Sequence, residues 1–278
     1  MHEGHRERSA AYEIATRGCA LYGAGLPGVV QGAELVLSRL GNFPGRDLLV
    51  GRYDKSPIRD ARLQLEMRVY EVENTIRDAG GKLWKLTDFQ FETLEAFRRH
   101  GRVSVSAPTS AGKSFILSLE VLRKLRDHEN AAIGYVVPTR ALIRQVIIDL
   151  RARLRESHLP PPIVRNLPRI PNPEDAQNGI VYVLTQERLL SLLDADEPGF
   201  RLSGLIVDEA QGIRDGSRGI LLQTAIEKVL IRFPNVEVTA DSIVNACHVR
   251  LAGDLTNPYI IALVPSGGRR ETNFFYHL

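Results

Sequence analysis

One stretch of the chain, residues 102–127, combines a predicted strand, a loop of small residues and a predicted helix. Arg-Val-Ser-Val-Ser at 102–106 alternates apolar and polar residues, which is typical of a strand. The loop Ala107-Pro-Thr-Ser-Ala-Gly112-Lys113-Ser114 follows, and the apolar spacing behind it predicts a helix over 113–127. In this arrangement the backbone N–H groups of the loop and the positive end of the helix face one anion. The stretch therefore predicts a sheet, a helix beside it and an anion site between them.

Lys113 and Ser114 narrow the predicted anion to a nucleotide phosphate. The Lys113 ammonium can reach the β- and γ-phosphates, and the Ser114 hydroxyl can hold Mg²⁺. The other loop residues that would surround the phosphates are Ala107, Thr109, Ser110, Ala111 and Gly112. The alternative is a small-residue turn before a helix, with a surface lysine and no ligand.

Strand and helix patterns alternate throughout the chain after Lys82. Strands are predicted at 102–106, 132–137, 163–167, 180–184, 203–207 and 235–239, and helices at 90–99, 113–127, 140–156, 186–193 and 217–232. This order predicts an α/β fold in which a mainly parallel sheet lies between helices. Ligands of such sheets bind at the carboxyl ends of the strands, where the 107–112 loop lies.

The first 81 residues are predicted to form a small all-helical region. Helices are predicted over 9–23, 28–40 and 57–78, separated by glycine and proline. In the third, Leu65, Val69, Val72 and Ile76 recur at spacings of four, three and four, which predicts an apolar packing face. Nothing in this region suggests chemistry.

Composition excludes several classes of protein. A net charge of +3 over 278 residues is not that of a polycation, so a nucleic-acid argument depends on where the arginines lie. Cys19 and Cys247 lie far apart and lack a metal-ligand spacing, which indicates a reducing compartment. There is neither an apolar run near the about 18 residues of a membrane span nor a secretory signal. A cytoplasmic protein without membrane contact is expected.

A second group of candidate residues follows the apolar run Leu205-Ile-Val207. Asp208-Glu209-Ala210-Gln211 comes directly after this predicted strand. A carboxylate at the tip of a buried strand is costly unless a cation pairs with it. Mg²⁺ bound to ATP would be that cation, held by Asp208 directly or through water, and Glu209 could orient or deprotonate an attacking water. The alternative is an acidic helix cap.

Together these residues resemble the first RecA-like, ATP-binding domain of superfamily 2 helicases, in the DExH/DEAQ branch. The resemblance covers roughly residues 84–246, with Ala107–Ser114 matching motif I and Asp208–Gln211 matching motif II. Leu86-Thr-Asp-Phe89-Gln90 resembles the Q motif, in which an amide offers adenine a donor and an acceptor together. Pro138-Thr139-Arg140-Ala-Leu142 and Thr185-Gln-Glu-Arg188-Leu189 resemble motifs Ia and Ib.

The resemblance implies an ATPase or helicase that acts on single-stranded DNA or RNA, with ATP and Mg²⁺ as cofactors. It assigns catalytic roles to Lys113, Glu209 and Gln211, and Mg²⁺ to Ser114 and Asp208. ATP would also contact Phe89, Gln90 and the 107–114 loop. Nucleic-acid phosphates would contact Thr139, Arg140, Thr185 and Arg188, since hydroxyls and backbone N–H groups at helix starts suit phosphate oxygens.

The chain departs from the family pattern in two places. The family's motif III, usually Ser-Ala-Thr, links the ATP site to strand movement. The corresponding residues here, Ala240-Asp241-Ser242 or Thr239-Ala240-Asp241, match it only in part. Three parts are expected: a helical accessory region at 1–81, the first RecA-like domain at 82–262, and at 263–278 the start of a linker to a second RecA-like domain that this chain lacks. Hydrolysis by this chain alone is expected to be poor, because the arginine fingers of that domain are worth about 10³–10⁵ in rate.

Two other functions remain open. A non-catalytic, nucleotide-responsive module of a larger assembly fits the altered motif III and the helical region. A small-molecule kinase shares the phosphate loop, but it does not predict Pro138–Leu142 or Asp208–Gln211.

Overall fold

The computed structural model describes residues 2–53, 58, 60–78, 81–107, 112–195, 199–214 and 216–242 of the chain. These residues fall into two compact units. The amino-terminal unit holds the described residues up to Asp78 together with Leu83–Glu92, and the α/β unit holds Gly81, Lys82 and the described residues of Thr93–Val264. The linker predicted at 263–278 lies outside the described residues, as does Cys247.

The α/β unit alternates strands and helices along the chain, as predicted. Its strands are β3 (Arg102–Ser106), β4 (Ala132–Val136), β5 (Ile163–Arg165), β6 (Ile180–Leu184), β7 (Gly204–Val207) and β8 (Glu237–Ser242). Its helices are α6 (Lys113–Asp127), α7 (Arg140–Glu156), α8 (Gln186–Asp194) and α9 (Gly216–Arg232), and α5 (Asp88–Arg99) leads into it. Short 3₁₀ turns cover Pro173–Ala176 and Ala210–Arg214.

The six strands form one sheet in the order β3-β8-β7-β4-β6-β5, and every neighbouring pair is parallel. Because all strands run the same way, their carboxyl ends meet at one edge of the sheet. β8 lies between β3 and β7, so the end of β8 lies between the loop that follows β3 and Asp208, which follows β7.

The sheet is buried on both faces, which explains the nearly continuous apolar runs of its central strands. Every residue of β4 and of β6 is buried. One face packs on α8 and α9 through residues such as Val136, Leu184 and Val207. The predicted α/β class with a mainly parallel sheet between helices is therefore confirmed. Strand β8 lies slightly later than predicted, at Glu237–Ser242 rather than 235–239.

The amino-terminal unit consists mainly of helices: α1 (His2–Tyr22), α2 (Pro27–Arg39), α3 (Phe43–Arg52) and α4 (Ala61–Glu73). Their starts follow ordinary rules, since Pro27 opens α2 and the side chains of Asn42 and Asp60 accept backbone N–H groups at the starts of α3 and α4. A small core joins α1, α2 and α3 through Cys19, Leu37 and their neighbours. None of the described helices is long and apolar enough to cross a membrane.

The predicted third helix at 57–78 requires correction. It ends at Glu73, and Thr75–Arg77 form strand β1, which pairs antiparallel with β2 (Leu83–Lys85). The β-branched pair Thr75-Ile76 favours a strand over a helix turn. The expected packing face is also wrong: Leu65 and Val72 are 66% and 71% exposed, and the buried residue of α4 is Met67. The spacing of apolar residues predicts that they share one face of a helix, but it does not show whether another element packs on that face.

Candidate functional site

The carboxyl ends of β3, β8 and β7 bring together Lys113, Asp241 and Asp208. These residues are 5%, 1% and 8% exposed, respectively. The Nζ atom of Lys113 lies 3.7 Å from Oδ2 of Asp241 and donates to the carbonyl oxygen of Ala107 at 3.0 Å. Residues far apart in sequence thus form a buried group of one ammonium and two carboxyls.

The start of α6 positions Lys113. Gly112 stands at the N-cap with φ 78° and ψ 34°, a left-handed conformation that glycine adopts without the strain a side chain would bring. Lys113 then reaches back to Ala107 O, across the loop that joins β3 to α6. Ser114, in the first turn of α6, is exposed and accessible to a ligand. Three predicted phosphate contacts, Thr109, Ser110 and Ala111, lie outside the described residues.

Asp208 is held by two groups from β4. Its backbone N–H donates to Val136 O at 2.9 Å, and the Tyr135 hydroxyl donates to its Oδ2 at 3.3 Å. Burial raises the pKa of Asp208 above its usual range. Burial, and after it the charge of Asp208, also raises the pKa of Tyr135, so the phenol remains a hydrogen-bond donor. Sequence reasoning missed Tyr135, because nothing in an apolar strand distinguishes a core tyrosine from one that supports an acid.

Asp241 marks the place where the sequence departs from motif III, and besides Lys113 it contacts Glu209. Its Oδ1 accepts the backbone N–H of Glu209 at 2.8 Å. Glu209 has φ 57°, a left-handed conformation that is uncommon for a residue with a side chain, and this hydrogen bond supports it. Among the described residues, Oδ2 of Asp241 is the buried side-chain atom without a hydrogen-bond partner. Burial, and next the charge of Asp208, raises the pKa of Asp241 well above its usual range.

Replacing Asp241 with Asn is expected to flatten the pH dependence of stability of the nucleotide-free protein. A raised folded pKa means that the folded state binds a proton more readily than the unfolded state does. Stability therefore falls as pH rises from the unfolded aspartate pKa of about 3.9 through the folded value. Asparagine keeps the Oδ1 acceptor for Glu209 but cannot ionise. In thermal melts between about pH 5 and pH 8, the Tm of the variant should rise relative to that of wild type as pH rises.

The control for this variant is Asp175→Asn, at an exposed carboxyl elsewhere in the α/β unit. Its Tm should stay close to that of wild type, because an exposed side chain contributes little to stability. Parallel Tm curves for Asp241→Asn and wild type would contradict the assignment of a raised pKa to Asp241.

The turn after Asp208 carries the other two predicted catalytic residues. The Gln211 amide donates to Oε2 of Glu209, and both side chains are partly buried. A cleft of about 30 Å³ is lined by Asp208 and Glu209 and also by Gln186 and Arg218. It is large enough to hold about one water. The structure therefore places Glu209 and Gln211 together and leaves room for a water next to Glu209.

A larger cleft of about 470 Å³ lies at the starts of α7, α8 and α9. Its lining residues are Arg140, Thr185, Glu187, Arg188, Ser191 and Arg218. Three guanidinium groups against one carboxylate make it basic. The cleft unites three of the four predicted nucleic-acid contacts, and it adds Ser191 and Arg218, which sequence reasoning missed because neither belongs to a matched motif.

Two of the predicted phosphate-binding residues already make contacts within the protein. Thr139 is the N-cap of α7, where its Oγ1 accepts the Leu142 N–H at 3.4 Å, and it is exposed beside Arg140. One Arg188 Nη donates to the carbonyl oxygen of Asn166 at 2.6 Å. Thr185 is buried at the N-cap of α8.

The predicted adenine-binding residues lie in the amino-terminal unit. Thr87 and Gln90 form a capping box at the start of α5: the Gln90 N–H donates to Thr87 Oγ1 at 3.2 Å, and the Thr87 N–H donates to Gln90 Oε1 at 3.0 Å. Gln90 is buried and Phe89 is partly buried. The Gln90 amide oxygen thus accepts a backbone N–H in this structure, and its contact with adenine stays a prediction.

A parallel sheet with Lys113 and Asp208 at the carboxyl ends of its strands defines a RecA-like P-loop domain. Residues 87–242 match the DEAD/DEAH box helicase family, and the chain belongs to that family. The resemblance to the ATP-binding domain of superfamily 2 helicases is therefore confirmed.

Curated relatives agree with this family. The chain is 30% identical over 165 residues to the ATP-dependent DNA helicase Hel308 of Thermoplasma volcanium, covering 58% of this chain and 23% of that protein. It is 30% identical over 159 residues to the probable helicase HelY of Mycobacterium tuberculosis (strain ATCC 25618 / H37Rv), covering 55% of this chain and 16% of that protein. A solved structure of the DUF1998 helicase MrfA bound to DNA is 18% identical with a TM-score of 0.48, covering 66% of this chain and 28% of that one. The chain thus spans less than a quarter of the length of these two curated relatives.

Proposed function

We propose that this chain supplies the part of an ATP-dependent helicase or translocase that binds Mg-ATP and the backbone of single-stranded DNA or RNA. The observation that carries the proposal is that one edge of the sheet presents two chemically different groups of side chains. Lys113 and the carboxyls of Asp208 and Asp241 gather at the ends of β3, β8 and β7, while the basic cleft with Arg140 and Arg188 lies at the ends of β4 and β6.

The donor set beside Lys113 fits a divalent cation. Carboxylate and hydroxyl oxygens are the ligands that Mg²⁺ takes in proteins. Asp208 faces a second buried carboxyl, and Oδ2 of Asp241 makes no hydrogen bond among the described residues. Asp208 and Ser114 would hold the cation. When bound with ATP, Mg²⁺ would neutralise part of the β- and γ-phosphate charge.

Other residues of the chain would bind the phosphates and activate the attacking water. Lys113 would exchange Ala107 O and Asp241 for phosphate oxygens, and Gly112 with the rest of the 107–114 loop would surround the phosphates. Glu209 would orient the attacking water and accept its proton, with its side chain positioned by the Gln211 amide. Efficient hydrolysis would need an arginine from a second RecA-like domain.

The basic cleft would hold nucleic-acid phosphates. Arg140 and Arg188 supply charge, and Thr139 and Thr185 stand at the starts of α7 and α8, where backbone N–H groups favour anions. Such contacts position a strand without reading its bases, so binding should tolerate sequence and weaken with salt. A cytoplasmic location and the three-part organisation at 1–81, 82–262 and 263–278 belong to the same proposal.

A second candidate function is a non-catalytic module that binds nucleotide and changes its affinity for nucleic acid. Asp241 favours it, because a buried acid replaces the uncharged motif III residues of the family. Both functions require Mg-ATP to bind. They differ in turnover: in a protein that also carries the second RecA-like domain, Glu209→Gln abolishes ATP hydrolysis under the first and changes nothing under the second.

Replacing Asp208 with Asn is expected to remove the Mg²⁺ dependence of nucleotide binding. In wild type, Mg²⁺ should tighten the binding of a fluorescent ATP analogue by about tenfold or more, because the cation offsets repulsion between carboxylates and phosphates. The asparagine amide is a poorer ligand for Mg²⁺ than the carboxylate, so most of this increment in affinity should disappear in the variant. Anisotropy titrations with Mg²⁺ and with EDTA measure it. An Asp175→Asn control keeps the wild-type increment, and an unchanged increment in Asp208→Asn rules Asp208 out as the cation ligand.

A further inference from the structure

Arg218 lies where the two clefts meet. It lines the small cleft beside Asp208 and Glu209, and it lines the basic cleft with Arg140 and Arg188. No motif includes it, and the roles proposed above do not use it.

The start of α9 fixes the position of Arg218 relative to the 3₁₀ turn Ala210–Arg214. A Cβ atom on Gly219 would lie 1.9 Å from the carbonyl oxygen of Ile213, so this residue must be glycine for α9 to pack on the turn at its present distance. The same turn, Ala210–Arg214, contains Gln211. Arg218 is therefore attached to the segment that follows Asp208 and Glu209.

The guanidinium of Arg218 connects the starts of two other helices. It donates to the carbonyl oxygen of Pro138, the residue before the N-cap of α7, and its Nε lies 3.8 Å from Oε1 of Glu187 in the first turn of α8. The Arg218 side chain is 51% exposed, and an ion pair at this distance and exposure contributes little. Glu187 can therefore be replaced by a stronger anion at small cost.

We infer that Arg218 is a phosphate-binding residue of the basic cleft, paired with Glu187 until a nucleic-acid phosphate takes the place of that carboxylate. The inference rests on the proposed nucleic-acid binding. A guanidinium has five N–H donors in a planar fork, so it can keep its bond to Pro138 O and still give two donors to a phosphate. A phosphate bound there is also tied to the turn that carries Gln211.

The test is a titration of the full chain with a labelled oligothymidylate over a range of KCl concentrations, read by fluorescence anisotropy. Arg218→Ala is expected to weaken binding by about fivefold and to lower the slope of log Kd against log salt by about 0.7, the value for one phosphate on a single strand. Glu187→Gln is expected to tighten binding by about twofold, because it removes the competing carboxylate. In the double variant that gain should vanish.

Arg151→Ala is the matched control. This exposed arginine lies about 16 Å further along α7 than Arg140, at 1.5 Å per residue, and its loss should leave the salt slope unchanged. If Arg218→Ala fails to fold, Arg218→Gln retains a donor for Pro138 O and is expected to show the same loss of slope. The inference is overturned if Arg218→Ala leaves the salt slope unchanged, or if the gain in affinity from Glu187→Gln persists in the double variant. In either case, binding by the wild-type chain still supports the proposed function. Absence of wild-type binding overturns both, before any variant is made.

Discussion

Lys113→Ala is expected to weaken Mg-ATP binding by roughly 100- to 1,000-fold. Two carboxyls, Asp208 and Asp241, lie beside the Lys113 ammonium in a buried site. The Lys113 ammonium and a phosphate oxygen about 4 Å away would attract each other by about 4 kcal/mol at an effective dielectric constant of about 20. Without Lys113 the site has no ammonium to meet the β- and γ-phosphates and keeps acidic groups that repel them. Titration of a fluorescent ATP analogue in the presence of Mg²⁺ measures the change.

Lys82→Ala is the matched control, since this exposed lysine belongs to the same unit and pairs with Glu156 on the surface. Its affinity for the analogue should stay within about twofold of wild type, in keeping with the small value of surface pairs. Wild-type affinity in Lys113→Ala would remove the phosphate-binding role from the loop.

A double variant separates nucleotide binding from folding. Lys113→Ala leaves Asp241 buried without its cation, which costs stability as well as affinity. Adding Asp241→Asn should restore much of the Tm, because the unpaired acid is gone, while binding stays lost. If affinity returned together with stability, the loss in Lys113→Ala would be a consequence of misfolding.

The strands and helices of the α/β unit could be predicted because each has a local pattern. Ile180–Leu184 is a continuous apolar run between polar segments, and it forms a strand with every residue buried. The phosphate loop was equally readable, since Gly112 and Lys113 follow a strand and begin a helix. Local patterns also placed Asp208 at the end of a strand.

The contacts between these elements could not be predicted in the same way. The hydrogen bond from the Glu209 N–H to Asp241 depends on β8 lying between β3 and β7, and strand order is not encoded in any short segment. The bond from Arg218 to Pro138 O likewise joins residues 80 positions apart. Sequence reasoning noted Asp241 as a departure from a motif, but only the fold shows that it faces Lys113.

Lys124→Met is expected to lower the stability of the α/β unit by about 3 kcal/mol. Lys124 lies on α6, the helix that begins with Lys113, and it is 2% exposed. Its ammonium lies 3.2 Å from Glu120, which is also fully buried, and it donates to Glu237. Arg123 pairs with the same two carboxylates at 2.7 Å and 3.1 Å. Methionine fills a similar volume but leaves Glu120 and Glu237 with Arg123 alone, which also pairs with Asp127.

Glu237 shows why this cost should already appear at neutral pH. Burial alone would raise its pKa, but the hydrogen bond and charge of Lys124, together with Arg123, hold the pKa of Glu237 below its usual range. A depressed pKa stabilises the fold above the unfolded glutamate pKa of about 4.3, and that contribution is lost as pH falls through the folded value. Without Lys124 much of it is absent at every pH. Urea unfolding followed by circular dichroism, at neutral pH and near pH 4, measures both effects.

Restoring the balance of charge should restore stability. Lys124→Met with Glu120→Gln removes the cation together with one of the two carboxylates that it pairs with, and this double variant is expected to recover most of the about 3 kcal/mol. Lys228→Met is the control, because its pair with Asp194 is exposed and its loss should cost less than about 1 kcal/mol. Equal costs for Lys124→Met and Lys228→Met, or no recovery in the double variant, would show that apolar packing rather than ion pairing holds this part of α6. Recovery would show that the helix carrying Lys113 depends on matched charges around Lys124.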